Sequence, residues 1–246
     1  MKSNRICNRF SSRRFAVTFS VAVMLILPIT VRLQAQTPDT EKYAMARARL
    51  VEEVLKTGGI TNERVLQAVG SVPRHEFVNP EHRKEAYYDK ALPIGASQTI
   101  SSPYIVSVMT QELDPKPTET VLEIGTGSGY QAAVLSPLVK EVYSIEIVKD
   151  LGESAAKLLA RLGYSNVHVK PKSATDSKAG KNTPVRQDHR YMQSGERVPQ
   201  PLIDQLKDGG LMIIPVGERY QQTPMRMRKK GKELEREALV PLCSYR

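Results

Sequence analysis

The residues best suited to hold a small ligand are two carboxylates with a glycine turn between them. Glu123 lies within an apolar run, Val121 to Ile124, which feeds Gly125-Thr126-Gly127-Ser128-Gly129 and then a helix-like stretch from Gln131 to Leu138. Glycines let a chain turn sharply and approach a ligand closely because they lack the Cβ that disfavours positive φ. An acid just before such a turn suits a ligand carrying positive charge. Seventeen residues beyond Gly129, the strand-like Glu141-Val-Tyr-Ser-Ile-Glu146 ends in the second carboxylate, placed at a neighbouring strand tip to hold ribose hydroxyls. Three glycines can also make a tight turn with no ligand. The strand before, the helix after and the acid beyond favour a nucleoside held by Glu123, Gly125, Thr126, Gly127, Ser128, Gly129 and Glu146.

Elements that would carry these residues alternate along the chain. Helices are predicted over 41–56, 62–69, 104–112, 131–138, 151–162 and 200–206, and strands over 120–124, 141–147, 167–170 and 211–215, while 88–103 reads as loop. Strands alternating with helices predict an α/β fold, a doubly wound and mostly parallel Rossmann-like sheet behind an N-terminal helical extension. Right-handed crossovers would then put the ligand at the carboxyl ends of the strands. The expected organisation is a segment 1–36 followed by one domain over 41–246, with the extension and a substrate loop in 41–103 and the ligand-binding sheet in 104–246.

With 246 residues and 40% apolar content the chain can bury one sizeable core. Its formal charge of +10 is uneven: Lys2, Arg5, Arg9, Arg13, Arg14 and Arg32 stand in the first 36 residues without an acid, and ten less six leaves +4 for the rest. That residue demands no nucleic-acid partner. A second basic cluster, Arg226 to Lys232, is interleaved with Glu233, Glu235 and Glu237 and reads as a solvated hairpin edge. The first 36 residues resemble an export signal: a basic start with Arg13-Arg14, an apolar stretch from Phe15 to Val31, and Leu33-Gln-Ala35 as a small-residue cleavage site. An uncleaved anchor is the alternative. Cleavage predicts an exported, periplasmic protein without stable membrane association; a misassigned start, with Met45 as a late alternative, predicts a cytoplasmic one. Cys7 and Cys243 leave no intramolecular disulfide after cleavage, and no metal site is expected.

The dinucleotide fingerprint Gly-x-Gly-x-x-Gly needs a sixth-position glycine where Tyr130 stands. The spacing of Gly125, Gly127 and Gly129 after Glu123 instead resembles motif I of S-adenosylmethionine-dependent methyltransferases. Three further segments, Val72-Pro-Arg-His-Glu-Phe-Val78, Ala91-Leu-Pro-Ile-Gly-Ala-Ser-Gln-Thr-Ile-Ser-Ser-Pro-Tyr104 and Val198-Pro-Gln-Pro-Leu-Ile-Asp-Gln-Leu206, complete a resemblance to the protein-L-isoaspartate O-methyltransferase family running from about Ala44 to Gly217. The Gln-Thr-Ile-Ser loop is its specific element. The resemblance implies methyl transfer from S-adenosyl-L-methionine to the α-carboxylate of isoaspartyl residues in damaged proteins and peptides by a monomer. It casts Ser101 as the catalytic residue orienting that carboxylate, with Gln98, Thr99 and Ile100 binding the substrate. Capping the helix near Pro103 is the plainer role for Ser101, and His75 and His189 read as structural or irrelevant. Another enzyme of the same fold, acting on a small molecule or RNA, and a catalytically impaired relic are the competing readings.

Residues 171–197 depart from the family. A Gly-Asp-Gly, a tryptophan and an apolar strand are expected there; the chain is polar and lacks period-2 alternation. Codons permitted by this sequence, read out of frame, allow Gly-Asp-Gly-Phe-Lys-Gly-Trp from Ser173 and Phe-Asp-Lys-Ile-Ile-Val-Thr-Cys-Ser-Pro from Val185. A displaced frame here and again near Leu242 is one explanation, a diverged surface insertion the other. As written, the chain is expected to lack a central strand and the aspartate that would contact adenine, and so to bind the nucleoside weakly or not at all.

Overall fold

The computed structural model describes residues 41–171, 187–190, 200–218 and 221–239. The chain divides into Met1–Ala35 and Gln36–Arg246. The segment assigned to export, most of the anomalous stretch and the altered terminus therefore lie outside the described residues.

The extension opens with α1 (Glu41–Arg49), which widens into π-helical turns over Leu50–Lys56. Helix α2 (Glu63–Ser71) starts where Asn62 accepts hydrogen bonds from the amides of Arg64 (3.1 Å) and Val65 (3.4 Å), satisfying donors that a helix start leaves open. It ends before Pro73 and buries Val65, Leu66, Ala68 and Val69. After two short 3₁₀ turns, residues 88–103 are not a loop: β1 (Leu92–Gly95) and β2 (Gln98–Ile100) form an antiparallel hairpin, with Leu92 opposite Ile100. Its turn residues Ala96 and Ser97 have φ of 49° and 56°. Left-handed turn positions usually announce themselves with Asn or Gly, and this turn does not.

Helix α3 (Pro103–Leu113) leads into β3 (Thr120–Ile124), α4 (Tyr130–Leu135), β4 (Glu141–Glu146), α5 (Lys149–Arg161) and β5 (Val167–Pro171). Then come β6 (Gln187–Arg190), α6 (Gln200–Gln205), β7 (Leu211–Glu218), β8 (Gln221–Lys230) and β9 (Glu233–Ala238). The seven-stranded sheet has the order β5-β4-β3-β6-β7-β8-β9. The first five strands in that order run parallel and the last two pairings are antiparallel, so the α/β doubly wound reading holds. Arg226 to Lys232 and the glutamates after it form the β8–β9 edge hairpin, as its charge pattern predicts.

Alternation along β3 divides the core. Val121 joins the large cluster packed under α2, α3 and α4, while Leu122 and Ile124 join Leu206, Met212, Ile214 and Met227 on the opposite face. Helix α5 buries Gly152, Ala155 and Leu159, one stripe of its surface. Burying a leucine such as Leu159 contributes roughly 1.5–3 kcal/mol.

The central-strand expectation is corrected by β6. Its backbone pairs Leu122 with Asp188 on one side and Asp188 with Met212 on the other, filling the slot between β3 and β7. Two parallel edges facing each other across that gap need a hydrogen-bonding partner whatever its side chains. The strand spans only four residues.

Candidate active site

The order of strand addition reverses beside β3: β4 and β5 extend the sheet on one side, β6 and β7 on the other. Ligands of doubly wound sheets bind at such switch points, outside the carboxyl ends of the strands. The glycine turn sits there. Gly125, Gly127 and Gly129 have φ of 95°, 55° and 89°, conformations that a Cβ would strain. The turn is fastened from below, with the Gly125 amide donating to the Ile145 carbonyl (2.8 Å) and the Gly129 amide to the Thr126 carbonyl (2.8 Å). A Cβ on Gly129 would meet Leu159 Cδ1 at 3.0 Å, so α5 packs directly against the turn.

Glu146 anchors the turn from β4. Its Oε2 accepts from the Gly127 amide (2.8 Å) and its Oε1 from the Val148 amide (2.9 Å). Each carboxylate oxygen keeps a second lone pair for a ligand hydroxyl. Glu123 lies deeper, beneath the turn. It shares the inward parity of Val121, is fully buried, and accepts from the hydroxyl of Ser144, its cross-strand neighbour. Ser144 Oγ in turn lies 2.5 Å from Thr126 Oγ1. Burial pushes the Glu123 carboxyl up to about 8, with the nearby Glu146 charge acting in the same direction and the Ser144 hydrogen bond opposing. Its Oε1 is buried with no hydrogen-bond partner among the described residues. Ser144 was missed by sequence reasoning, although its position two residues before Glu146 puts both on one face of β4.

The donor set fits a nucleoside bearing a cationic group: a turn without side chains at Gly125, Gly127 and Gly129, a carboxylate beside it at Glu146, and an orphaned acid oxygen beneath at Glu123. Among the predicted ligand-holding residues, Gly125, Gly127 and Ser128 are partly exposed, and Thr126 and Gly129 are buried.

The hairpin bearing Gln98, Thr99 and Ile100 is seated on this turn. A Cβ on Gly127 would come within 3.3 Å of Ile94 Cδ1, on the strand paired with Gln98–Ile100. Thr99 is exposed, Gln98 half-buried and Ile100 buried in the core. Ser101 is half-buried at the foot of β2, and among the described residues its hydroxyl makes no hydrogen bond. The helix-capping role falls instead to Ser102, whose Oγ accepts from the Ile105 amide at 3.4 Å, while Asp89 Oδ1 takes the Tyr104 amide at 2.8 Å. Adjacent serines before Pro103 are indistinguishable by sequence; the chain path gives the cap to the second. His75 is structural, stacked on Tyr43 with ring centroids 4.0 Å apart and 2.8 Å from the Tyr87 hydroxyl through Nδ1. The backbone of His189 lies in β6.

Comparison with known proteins gives a consistent result. The family model described as protein-L-isoaspartate(D-aspartate) O-methyltransferase matches residues 45–245. A protein-L-isoaspartate O-methyltransferase of Dictyoglomus turgidum is 48% identical over 202 residues, covering 82% of this chain and 90% of that protein. One from Aeropyrum pernix is 43% identical over 182 residues, covering 73% and 70%. Among solved structures, a protein-L-isoaspartate O-methyltransferase superposes with a TM-score of 0.68 at 26% identity over 78% of this chain and 63% of that one. A Plasmodium falciparum beta-aspartate methyltransferase, crystallised with S-adenosyl-L-homocysteine, superposes with a TM-score of 0.66 at 23% identity over 80% and 95%, a likeness of fold.

Proposed function

Because the chain belongs to the protein-L-isoaspartate O-methyltransferase family, we propose that it repairs damaged proteins by methylating the α-carboxylate of L-isoaspartyl residues at this switch-point site. S-adenosyl-L-methionine supplies an electrophilic methyl group. The observation that supports the reading is the close approach of the hairpin carrying Gln-Thr-Ile-Ser to the glycine turn, Ile94 against Gly127.

The acceptor carboxylate is already ionised at neutral pH, so no strong general base is needed and the chain's task is alignment. Ser101, free of the capping duty, orients that carboxylate through its hydroxyl. Gln98, Thr99 and Ile100 shape the loop: Ile100 fixes it to the core while Thr99 and Gln98 face the polypeptide. Glycines 125, 127 and 129 with Ser128 cradle the donor, Glu146 holds its ribose, and Glu123 with Thr126 supports the turn from within.

Purified protein incubated with an isoaspartyl peptide and labelled donor is expected to form a base-labile methyl ester, with no labelling of the normal aspartyl peptide. Equal labelling of both would remove the isoaspartyl assignment. The substrates are isoaspartyl-containing proteins, met by a monomer. Among the described residues no helix is long and apolar enough to cross a membrane. Residues 1–36 support export, and sequencing the mature N-terminus distinguishes cleavage after Ala35 from a cytoplasmic start.

A further inference from the structure

We propose that Arg74 is a positioning residue for methyl transfer, setting how the acceptor hairpin sits over the donor turn; the proposal rests on the reading of the site given above. Arg74 lies in the short turn after α2 and is completely buried. Its Nε donates to the Ala86 carbonyl at 2.8 Å and its Nη2 to the Lys90 carbonyl at 3.2 Å. Those carbonyls bracket the foot of the hairpin, two residues short of Leu92 at its farther end. The same guanidinium stands over the Tyr130 ring, Cζ 4.8 Å from the centroid. Tyr130 directly follows Gly129 and begins α4. One side chain thus holds the hairpin's entry by two carbonyls and the end of the glycine turn through Tyr130.

A second fastening closes the foot. Asp89, between the two gripped carbonyls, takes the Tyr104 amide at the start of α3, so entry and exit of the hairpin are tied together beside Ser101. Displacing Ala86–Lys90 therefore moves Ser101 and Ile94 as a unit relative to Gly127. A planar, fixed fork can serve two carbonyls and a ring at once, whereas an ammonium is a point donor that serves one direction well. Lysine at 74 would keep the charge and lose the span.

Misplacing a reacting group by about an ångström costs on the order of 100-fold in rate, with no need for lost affinity. Arg74→Lys in the full chain is expected to lower kcat for an isoaspartyl peptide by about 10- to 100-fold at saturation. The Kd for S-adenosyl-L-homocysteine, measured by calorimetry, should stay within about threefold, because the glycine turn keeps its own fastenings to Ile145, Thr126 and Glu146. Tyr130→Leu, which removes the ring face, should give the same split, and the double variant should add little to the larger single effect. Asn62→Ala, which removes a cap at the opposite end of α2 from the Arg74 turn, serves as the stability control: it should lower Tm and leave turnover per folded molecule intact.

If Arg74→Lys and Tyr130→Leu lower Tm as the control does but hold kcat within about twofold, the positioning role is overturned while the methyltransferase reading survives. Should Arg74→Lys fail to fold, Tyr130→Leu decides by the same criterion. A wild-type chain silent on the isoaspartyl peptide overturns both.

Discussion

Gly127 and Ile94 meet so closely that a methyl group on the glycine would stand 3.3 Å from the isoleucine Cδ1. Gly127 also holds φ at 55°, where an L side chain costs roughly 1–2 kcal/mol. Gly127→Ala must therefore strain the turn and lift the hairpin together. Calorimetric titration with S-adenosyl-L-homocysteine should show affinity reduced about tenfold, equivalent to about 1.4 kcal/mol. Unchanged affinity would mean that this turn is not the donor site.

Ser101 and Ser102 are neighbours with separable duties. Ser101→Ala should reduce kcat by about 100-fold, the scale of one lost orienting contact in the transition state, with donor affinity intact. Ser102→Ala should instead cost about 1 kcal/mol of stability through the lost cap on α3. Steady-state kinetics and thermal melts on both variants read the difference, and exchanged phenotypes would reverse the assignment.

The buried Glu123 gives a pH dependence with a definite sign. An unfolded glutamate releases its proton near pH 4.3. In the folded, ligand-free chain the carboxyl holds it up to about 8. Across that window the folded state binds more protons, so its contribution to unfolding free energy falls as pH rises from about 4.3 to about 8 and is flat above. Urea unfolding at several pH values should show wild type losing stability relative to Glu123→Gln as pH increases. A wild type that gains relative to the variant over that range would contradict the buried, protonated acid.

The central strand supplies a prediction about the gene. Register places Asp188 between Leu122 and Met212, whose side chains are 2% and 0% exposed. An apolar slot of this kind penalises polar residues lacking partners. We expect tryptic mass spectrometry of the protein from its natural source to yield a peptide containing Phe-Asp-Lys, with Ile-Ile-Val-Thr-Cys following it, the out-of-frame product. A peptide carrying Gln187-Asp-His-Arg190 would establish the sequence as written and leave a diverged insertion as the explanation.

Local signals made the elements around the glycine turn legible. Apolar β3, the three glycines and the charged end of β4 are contiguous patterns, and each falls where periodicity predicts. The hairpin was legible as a motif but not as a shape, because it turns through Ala96 and Ser97, which carry none of the usual marks of positive φ. The depth of Glu123 was legible too: its parity with Val121 already placed it beneath the turn. Strand β6 could not be read at all, since Gln-Asp-His-Arg has no strand character and its place is set by the backbone edges of β3 and β7. In the sequence Arg74 is one residue of Val72-Pro-Arg-His-Glu-Phe-Val78 with nothing local to mark it. Its partners are two carbonyls and a ring distant in sequence, and no local pattern points to them.

The β8–β9 hairpin gives the sheet an outermost strand carrying Glu233, Glu235, Arg236 and Glu237, all but the leucine among its six residues exposed. Open strand edges invite other extended chains to pair with them, and charges on the rim make that pairing costly. A charged border of this kind disfavours the docking of any unpaired strand, a damaged substrate's included, and so guards the sheet against becoming a seed for aggregation.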